Sequence, residues 1–195
     1  MAKLHFKYGA MNSGKSDTLI KTAFNYDERG LATLVVKPAL DTKGEDWVVA
    51  RGGARRRVDV LAHDGEDLRA SVQRTADERG LRPLHCVLVD EAQFLTSVQV
   101  NQLARIADRQ GVPVLAYGLR TDFRGELFPG SARLLALADA LVEIKSVCTC
   151  GRKATMNLRV DADGRAVAEG AQTVIGGEER YVALCRRHHA EALAA

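Results

Sequence analysis

The sequence predicts an α/β fold in which a mostly parallel sheet is flanked by helices. Short strand-like runs alternate with helical patterns through residues 1–145, as a succession of βαβ units requires. A glycine-rich turn follows the first predicted strand, and the carboxylates Asp90 and Glu91 follow a run of four apolar residues. Sheets of this class place such loops and carboxylates at the carboxyl ends of their strands, where ligands bind.

Hydrophobic periodicity assigns the elements in chain order. Strands are predicted over residues 3–8, 31–36, 86–89, 112–117 and 141–144. The first helix occupies residues 15–28 and ends before Gly30, and a second carries Leu68, Val72 and Ala76. Residues 37–66 show no regular pattern, and a loop of that length is typically functional or mobile.

The second half of the domain carries clearer boundary signals. Thr96 and Gln99 form a capping-box pattern for a helix that stops at Gly111. A last helix is predicted over residues 131–140. After Lys145 the alternation ceases, so we expect an α/β domain over residues 1–145 and a small second domain over residues 146–195.

Composition limits the possible classes of protein. The chain has a net charge of only +3 and no apolar run near 20 residues, so neither nucleic-acid binding nor a membrane span is expected. Arg51 and the run 55–57 are interpreted as a solvated loop near an anionic ligand. The N-terminus has no apolar signal core, and a cytoplasmic location is the default expectation.

One segment matches the phosphate-binding pattern GxxxxGK[ST] at every required position. Its members are Gly9, Ala10, Met11, Asn12, Ser13, Gly14, Lys15 and Ser16. Backbone N–H groups of such a loop and the positive end of the next helix face the phosphates. The lysine neutralises the outer phosphates and the serine hydroxyl binds Mg²⁺. Because the match lies between a predicted strand and a predicted helix, it favours a P-loop for ATP with Mg²⁺ over an ordinary glycine turn, and hence a doubly wound, RecA-like sheet.

The acidic pair is expected to face this loop. Asp90 stands at the end of a buried strand, where a carboxylate can hold the water shell of the metal. Three interpretations of Glu91 remain open from the residues alone. It accepts a proton from an attacking hydroxyl, it polarises water in an ATPase, or it caps the following turn.

The four cysteines divide into two groups. Cys86 lies in an apolar run and is predicted to be a reduced core residue, whereas Cys148, Cys150 and Cys185 accompany His188 near the C-terminus. Three thiolates and one imidazole describe a closed tetrahedral Zn²⁺ site, although the C-x-C spacing is tight and reduced cysteines without metal are the alternative. Residues 151–184 are expected to lack a core of their own, which a metal would compensate.

Four motifs, in this order and spacing, resemble the type II thymidine kinase family, especially its bacterial members. They are GAMNSGKS, VLVDEAQFL, YGLRTDFRGELFPGS and the cysteine–histidine tail. The resemblance covers essentially the whole chain and implies transfer of phosphate from ATP to thymidine. It also implies a homotetramer inhibited by thymidine triphosphate.

The resemblance assigns roles to individual residues. It implies that Glu91 is the general base for the sugar 5′-hydroxyl and that Asp90 is linked to Mg²⁺. The nucleotide site is completed by the run Asp90, Glu91, Ala92 and Gln93. Apolar packing around the thymine base is implied for Met11, Phe94, Leu119, Phe123 and Phe128, each of which would otherwise be interpreted as core.

The resemblance also bears on residues 146–195, here called the tail. The C-x₂-H spacing of the family selects His188 over His189 as the fourth zinc ligand, and His189 is then interpreted as a surface residue. A segment called the lasso, including residues 169–172 and 175–181, is implied to close over the nucleoside. Tyr181 is implied to stack near the substrate, with packing against the zinc site as the alternative.

Overall fold

A six-stranded parallel sheet organises the computed structural model, which describes residues 1–172 and 180–194. The strands of the described residues are β1 (Leu4–Tyr8), β2 (Ala32–Pro38), β3 (Trp47–Val49), β4 (Arg55–Arg57), β5 (Val60–Ala62), β6 (Leu84–Val89), β7 (Val114–Gly118), β8 (Ala140–Glu143), β9 (Ser146–Val147), β10 (Lys153–Ala154), β11 (Met156–Val160) and β12 (Arg180–Leu184). The sheet order is β5-β2-β6-β7-β1-β8, and all five neighbouring pairs are parallel. The predicted α/β class is confirmed.

Helices cover both faces of this sheet. They are α1 (Lys15–Asp27), α2 (Leu68–Glu78), α3 (Ser97–Gln110), α4 (Pro129–Leu137) and α5 (Arg186–Leu193), with a 3₁₀ turn at Ala92–Phe94. Successive residues of β2 point to opposite faces. Val35 packs with Leu19 of α1, whereas Leu34 packs in the cluster that contains Leu103 of α3.

The predicted boundary signals of α3 are present as hydrogen bonds. The Thr96 hydroxyl accepts from the N–H of Gln99 at 3.2 Å, and the Gln99 side chain accepts from the N–H of Thr96 at 3.0 Å. Gly111 ends the helix with a φ of 68°, which a residue without a Cβ adopts at little cost. Helix α4 ends at Leu137, three residues before the predicted end, because Ala138 is extended.

The prediction of an irregular segment over residues 37–66 is wrong. Strands β3 and β4 pair as an antiparallel hairpin, and β5 adds a parallel edge strand to the main sheet. The Arg55 guanidinium lies 4.8 Å from the Trp47 ring centroid, and Arg56 pairs with Asp27 of α1. The arginine run is therefore a strand rather than a loop, although Arg55 and Arg57 are exposed as predicted, and its position near an anionic ligand stays a prediction.

The tail contains more structure than its composition indicates. Strands β11 and β12 pair antiparallel, as do β9 and β10. A small cluster of buried side chains joins Ala154, Leu158, Val160 and Leu184 to two of the cysteines. The expectation that residues 151–184 lack a core of their own is wrong, and the division at residue 145 stays a prediction. In residues 1–172 and 180–194, no helix has the length and apolar character that crossing a bilayer demands.

Candidate active site

The P-loop connects the end of β1 to the start of α1. Its first residue, Gly9, donates its N–H to the carbonyl of Gly118 at 3.3 Å. A Cβ at position 9 would lie 2.4 Å from the carbonyl oxygen of Ile144, so no other residue fits there without displacing the backbone. Asn12 and Gly14 have φ values of 62° and 84°. This left-handed backbone curves the loop around a concave site of the kind that binds anions.

Lys15 is held inside this loop. Its Nζ donates to the carbonyl of Ala10 at 2.8 Å, and the residue is only 7% exposed. Burial lowers the pKa of Lys15, and attraction from Glu91 and Asp90 opposes that shift. The Lys15 ammonium therefore lies close to Asp90 and Glu91 and is hydrogen-bonded to the backbone of its own loop.

Ser16 and Asp90 join the loop to the end of β6. The Ser16 Oγ donates to the Asp90 carboxylate at 3.2 Å, across a sequence separation of 74 residues. Burial, followed by repulsion from Glu91, raises the pKa of Asp90 to about 7. A divalent cation beside this carboxylate would favour its charged form and offset the cost of burial. The donor set of a hydroxyl and a carboxylate oxygen fits Mg²⁺, which prefers oxygen ligands.

Glu91 has an unusual backbone conformation for its residue type. Its φ is 46°, in the left-handed region that costs a non-glycine residue roughly 1 kcal/mol or more. The carboxylate Oε2 accepts from the Gln93 Nε2 at 2.6 Å. Adjacent carboxylates thus have separate surroundings, since Asp90 contacts the P-loop and Glu91 is turned toward Gln93.

Gln93 extends this arrangement to the loop after β7, here called the pocket loop (residues 119–128). Its Oε1 accepts from the N–H of Leu119 at 2.9 Å, and the residue is 1% exposed. A Cβ on Gly118 would lie 2.8 Å from that same oxygen. Glutamine at this position therefore fixes both the Glu91 carboxylate and the start of the pocket loop. The predicted nucleotide contacts of Ala92 and Gln93 stay predictions.

The residues predicted to surround a base are largely enclosed. Leu119, Phe123 and Phe128 are at most 8% exposed, while Phe94 and Met11 are half-buried. The rings of Phe94 and Phe128 meet edge to face with centroids 5.6 Å apart. Half-buried Tyr181 lies on β12, directly opposite Arg159 of β11. The roles of these six residues toward a ligand stay predictions, and residues 175–179 of the predicted lasso lie outside the described residues.

Asn157 was not identified by the sequence analysis, yet it connects the P-loop to the pocket loop. Its Oδ1 accepts from the N–H of Met11 at 2.7 Å, and its Nδ2 donates to the carbonyl of Thr121 at 3.2 Å. Asn157 is 3% exposed, so both ends of the amide are used inside the protein. A strand of the tail thereby supports the phosphate loop.

The pocket loop is also braced from within. Its Asp122 carboxylate accepts from the N–H groups of Arg124 and Glu126, both at 2.9 Å. The side chain of Gln172 donates to the same carboxylate at 3.2 Å. Gln172, which lies in the predicted lasso, thus contacts the predicted base site.

The predicted metal ligands meet at one point. The ligand atoms of Cys148, Cys150, Cys185 and His188 all lie within 4.8 Å of one another. The Sγ atoms of Cys150 and Cys185 are 3.9 Å apart, close to the separation of about 3.8 Å that tetrahedral Zn–S bonds of ~2.3 Å require. Backbone N–H groups of Cys150 and Cys185 lower the pKa of the Cys148 thiol to about 5. The cluster therefore fits a zinc ion, and the preference for His188 is consistent with it.

The interpretation of His189 as a surface residue is wrong. The side chain is 5% exposed, and its Nε2 lies 2.7 Å from the carbonyl oxygen of Phe123. The first turn of α5 places neighbouring side chains on different faces, so His188 reaches the cysteines while His189 reaches the pocket loop. Cys86 is free and fully buried in the sheet, which confirms its predicted place in the core.

Comparison with known proteins agrees with this geometry. The family model described as thymidine kinase matches residues 2–189. A thymidine kinase of Novosphingobium aromaticivorans is 56% identical, covering 99% of both chains. Thymidine kinases of Ruegeria pomeroyi and Coxiella burnetii are 52% and 51% identical, covering 98% and 96% of this chain and 96% and 95% of their own lengths. The crystal structure of Pif1 helicase from Candida albicans covers 74% of this chain and 36% of its own, at 17% identity and a TM-score of 0.45, which is too low to relate the two folds.

The resemblance inferred from four motifs therefore extends over residues 2–189. The P-loop, the acidic pair, the pocket loop and the cysteine–histidine cluster all fall within the matched residues. On this agreement, the chain belongs to the thymidine kinase family.

Proposed function

We propose that this protein transfers the γ-phosphate of ATP to the 5′-hydroxyl of thymidine, giving ADP and thymidine monophosphate. The observation that carries the proposal is the contact between Ser16 of the P-loop and Asp90, beside a second carboxylate, Glu91, that is bonded to Gln93. Phosphate-binding groups and a separate carboxylate thereby converge from two strands, and relatives named thymidine kinase match 99% and 96% of the chain.

Each residue then has a distinct task. Lys15 and the N–H groups of the P-loop hold the phosphates, and Ser16 with Asp90 would hold Mg²⁺. The ion, when bound, neutralises charge on the phosphate oxygens. The 5′-oxygen attacks the γ-phosphorus while its proton passes to the Glu91 carboxylate. The bond from that phosphorus to the β–γ bridging oxygen breaks, and the electron pair leaves with ADP.

The pocket loop is proposed to receive the base. Leu119, Phe123 and Phe128, with Phe94 and Met11, are proposed to pack around a flat ring, and Tyr181 is proposed to stack near it. Gln93 bonds both Glu91 and the N–H of Leu119. The proton acceptor and the base site are therefore connected through one buried side chain, which supports their action on the same nucleoside.

We also propose a structural Zn²⁺ ion held by Cys148, Cys150, Cys185 and His188. The spacing of the four ligand atoms and the lowered pKa of Cys148 support it, since thiolate is the form that binds metal. A site with four protein ligands leaves no position open for catalysis.

Family membership supports three further proposals. The protein acts as a homotetramer in the cytoplasm, and thymidine triphosphate inhibits it by filling the nucleoside and phosphate sites together. We further propose that the chain divides into an α/β domain over residues 1–145 and a zinc-binding lasso domain over residues 146–195.

Replacing Glu91 tests the function directly. The purified protein should transfer label from γ-labelled ATP to thymidine and little to water. Glu91→Gln should lower kcat by roughly 10²–10⁴-fold, because the amide cannot accept the proton. ATP affinity, measured by calorimetry, should be unchanged.

Glu78→Gln is the matched control, because Glu78 is exposed at the end of α2. It should behave as wild type in both assays. Near-normal turnover by Glu91→Gln would remove this residue as the base. Transfer to water but not to thymidine by the wild type would contradict the kinase assignment itself.

The raised pKa of Asp90 predicts how stability depends on pH without nucleotide. An aspartate in the unfolded chain has a pKa near 3.8, whereas that of Asp90 in the folded protein is about 7. The folded state binds the proton more tightly, so its stability falls as pH rises from about 4 to about 7. Asp90→Asn should lack this loss. The melting temperature of the variant minus that of wild type should therefore increase by at least about 2–4 °C between pH 5 and pH 8. A shift of this size corresponds to ~1 kcal/mol in a chain of this size.

Asp108→Asn serves as the control for this comparison, because Asp108 is exposed on α3. It should track the wild type at every pH. A constant difference in melting temperature between Asp90→Asn and wild type from pH 5 to pH 8 would show that burial does not favour the protonated form of Asp90.

The zinc proposal is tested by Cys185→Ser. Loss of one thiolate should reduce bound zinc from about one per chain to well below one, and should lower the melting temperature, because metal binding contributes to folding. Elemental analysis of the purified protein measures the first effect and thermal unfolding the second. Cys86→Ala, far from the cluster in the sheet, should retain full zinc. Equal zinc content in both variants would exclude Cys185 as a ligand.

A further inference from the structure

We propose that Arg159 is a positioning residue of the nucleoside site, which fixes the Phe123 ring through contacts made from the tail. The inference deepens the proposed function and rests on it, because it concerns the wall of the same base site. Arg159 belongs to β11 and is 2% exposed, so a long cationic side chain is enclosed beside the aromatic ring of Phe123.

The guanidinium lies against the aromatic ring. Its central carbon is 3.8 Å from the centroid of Phe123, a distance at which a planar cation and a ring face are attracted to each other. Phe123 is itself 1% exposed. Because the ring is packed against the guanidinium, any displacement of Arg159 changes the shape of the pocket loop.

The same group binds the backbone at the described end of the lasso. Nη1 donates to the carbonyl of Ala171 at 3.1 Å, and Nη2 donates to the carbonyl of Glu169. Two carbonyls and one ring thus converge on a single planar group. Arginine can satisfy this arrangement with its rigid fork, whereas lysine offers a point charge without a flat face.

Gly170 is a second, independent indication of this arrangement, because the absence of a side chain there leaves room for the guanidinium. Its φ is +119°, and an added Cβ would lie 2.5 Å from Nη2 of Arg159. A side chain at position 170 therefore strains the backbone and displaces Arg159 together. The glycine and the arginine form one unit, and substitution of either should disturb the Phe123 ring.

Phe123 is held at its backbone as well as at its ring. Its carbonyl bonds to His189 of α5 at 2.7 Å, and Gln172 reaches the neighbouring Asp122. Three side chains of the tail therefore converge on two adjacent residues of the pocket loop. None of these three contacts reaches the phosphate loop, which is held through Gly118 and Asn157. Disturbing Arg159 should thus act on nucleoside binding more than on ATP binding.

Steady-state kinetics of Arg159→Met and Arg159→Lys test the inference. Both variants should raise the KM for thymidine by about tenfold or more, the change expected when a desolvated cation–π contact is lost. The KM for ATP and kcat at saturating thymidine should stay within about twofold of wild type. Zinc content should be unchanged, which separates the effect from collapse of the metal cluster.

Gly170→Ala supplies a second, independent variant in case Arg159→Met does not fold. It should shift the KM for thymidine in the same direction without removing any charge. Arg165→Met is the matched control, because Arg165 is an exposed arginine of the same tail and should behave as wild type.

The kinetic measurements can contradict the inference in several ways. A wild-type KM for thymidine in folded Arg159→Met, or in Gly170→Ala, overturns the inference. An equal rise in the KM for ATP would also overturn it. Full activity of Arg159→Lys would do the same, because a positive charge without the planar guanidinium would then be sufficient. If the wild-type protein transfers no phosphate to thymidine, the proposed function fails and this inference fails with it.

Discussion

The contact between Ser16 and Asp90 is the constraint on which the rest of the site depends. Parallel strands end at one edge of the sheet, and β7 lies between β1 and β6. The P-loop after β1 and the acidic pair after β6 therefore meet, although 74 residues separate Ser16 from Asp90. Attraction from Glu91 and Asp90 offsets the burial of the Lys15 ammonium, whereas the buried Asp90 carboxylate lies beside the like charge of Glu91. A nucleotide and its cation would complete that charge balance.

The tail contributes directly to this site. Asn157, Arg159 and His189 bond the P-loop, the pocket-loop ring and the pocket-loop backbone respectively. Their strand and helix also frame the cysteine–histidine cluster. A metal at that cluster would rigidify the elements that carry these three side chains. The cysteine–histidine cluster and the pocket loop are therefore connected through the same strand and helix.

Local patterns in the sequence were sufficient for much of this architecture. The P-loop and the capping box at Thr96 depend on residues a few positions apart, so spacing alone identifies them. Strands β3, β4 and β5 have three residues each, too few for an alternating pattern to register. Asn157 and His189 act across separations of 146 and 66 residues. Such contacts leave no local trace, and a histidine beside a metal ligand is readily taken for a surface residue.

A crystal structure with thymidine and a non-hydrolysable ATP analogue would show whether Glu91 is placed to accept the proton. The terminal phosphate should lie on Lys15, and the 5′-oxygen should lie about 2.6–3.2 Å from a Glu91 carboxylate oxygen, the reach of a general base. The base should then contact Phe123. A 5′-oxygen bonded to another group, with the Glu91 carboxylate directed away from it, would contradict the assignment of proton transfer to Glu91.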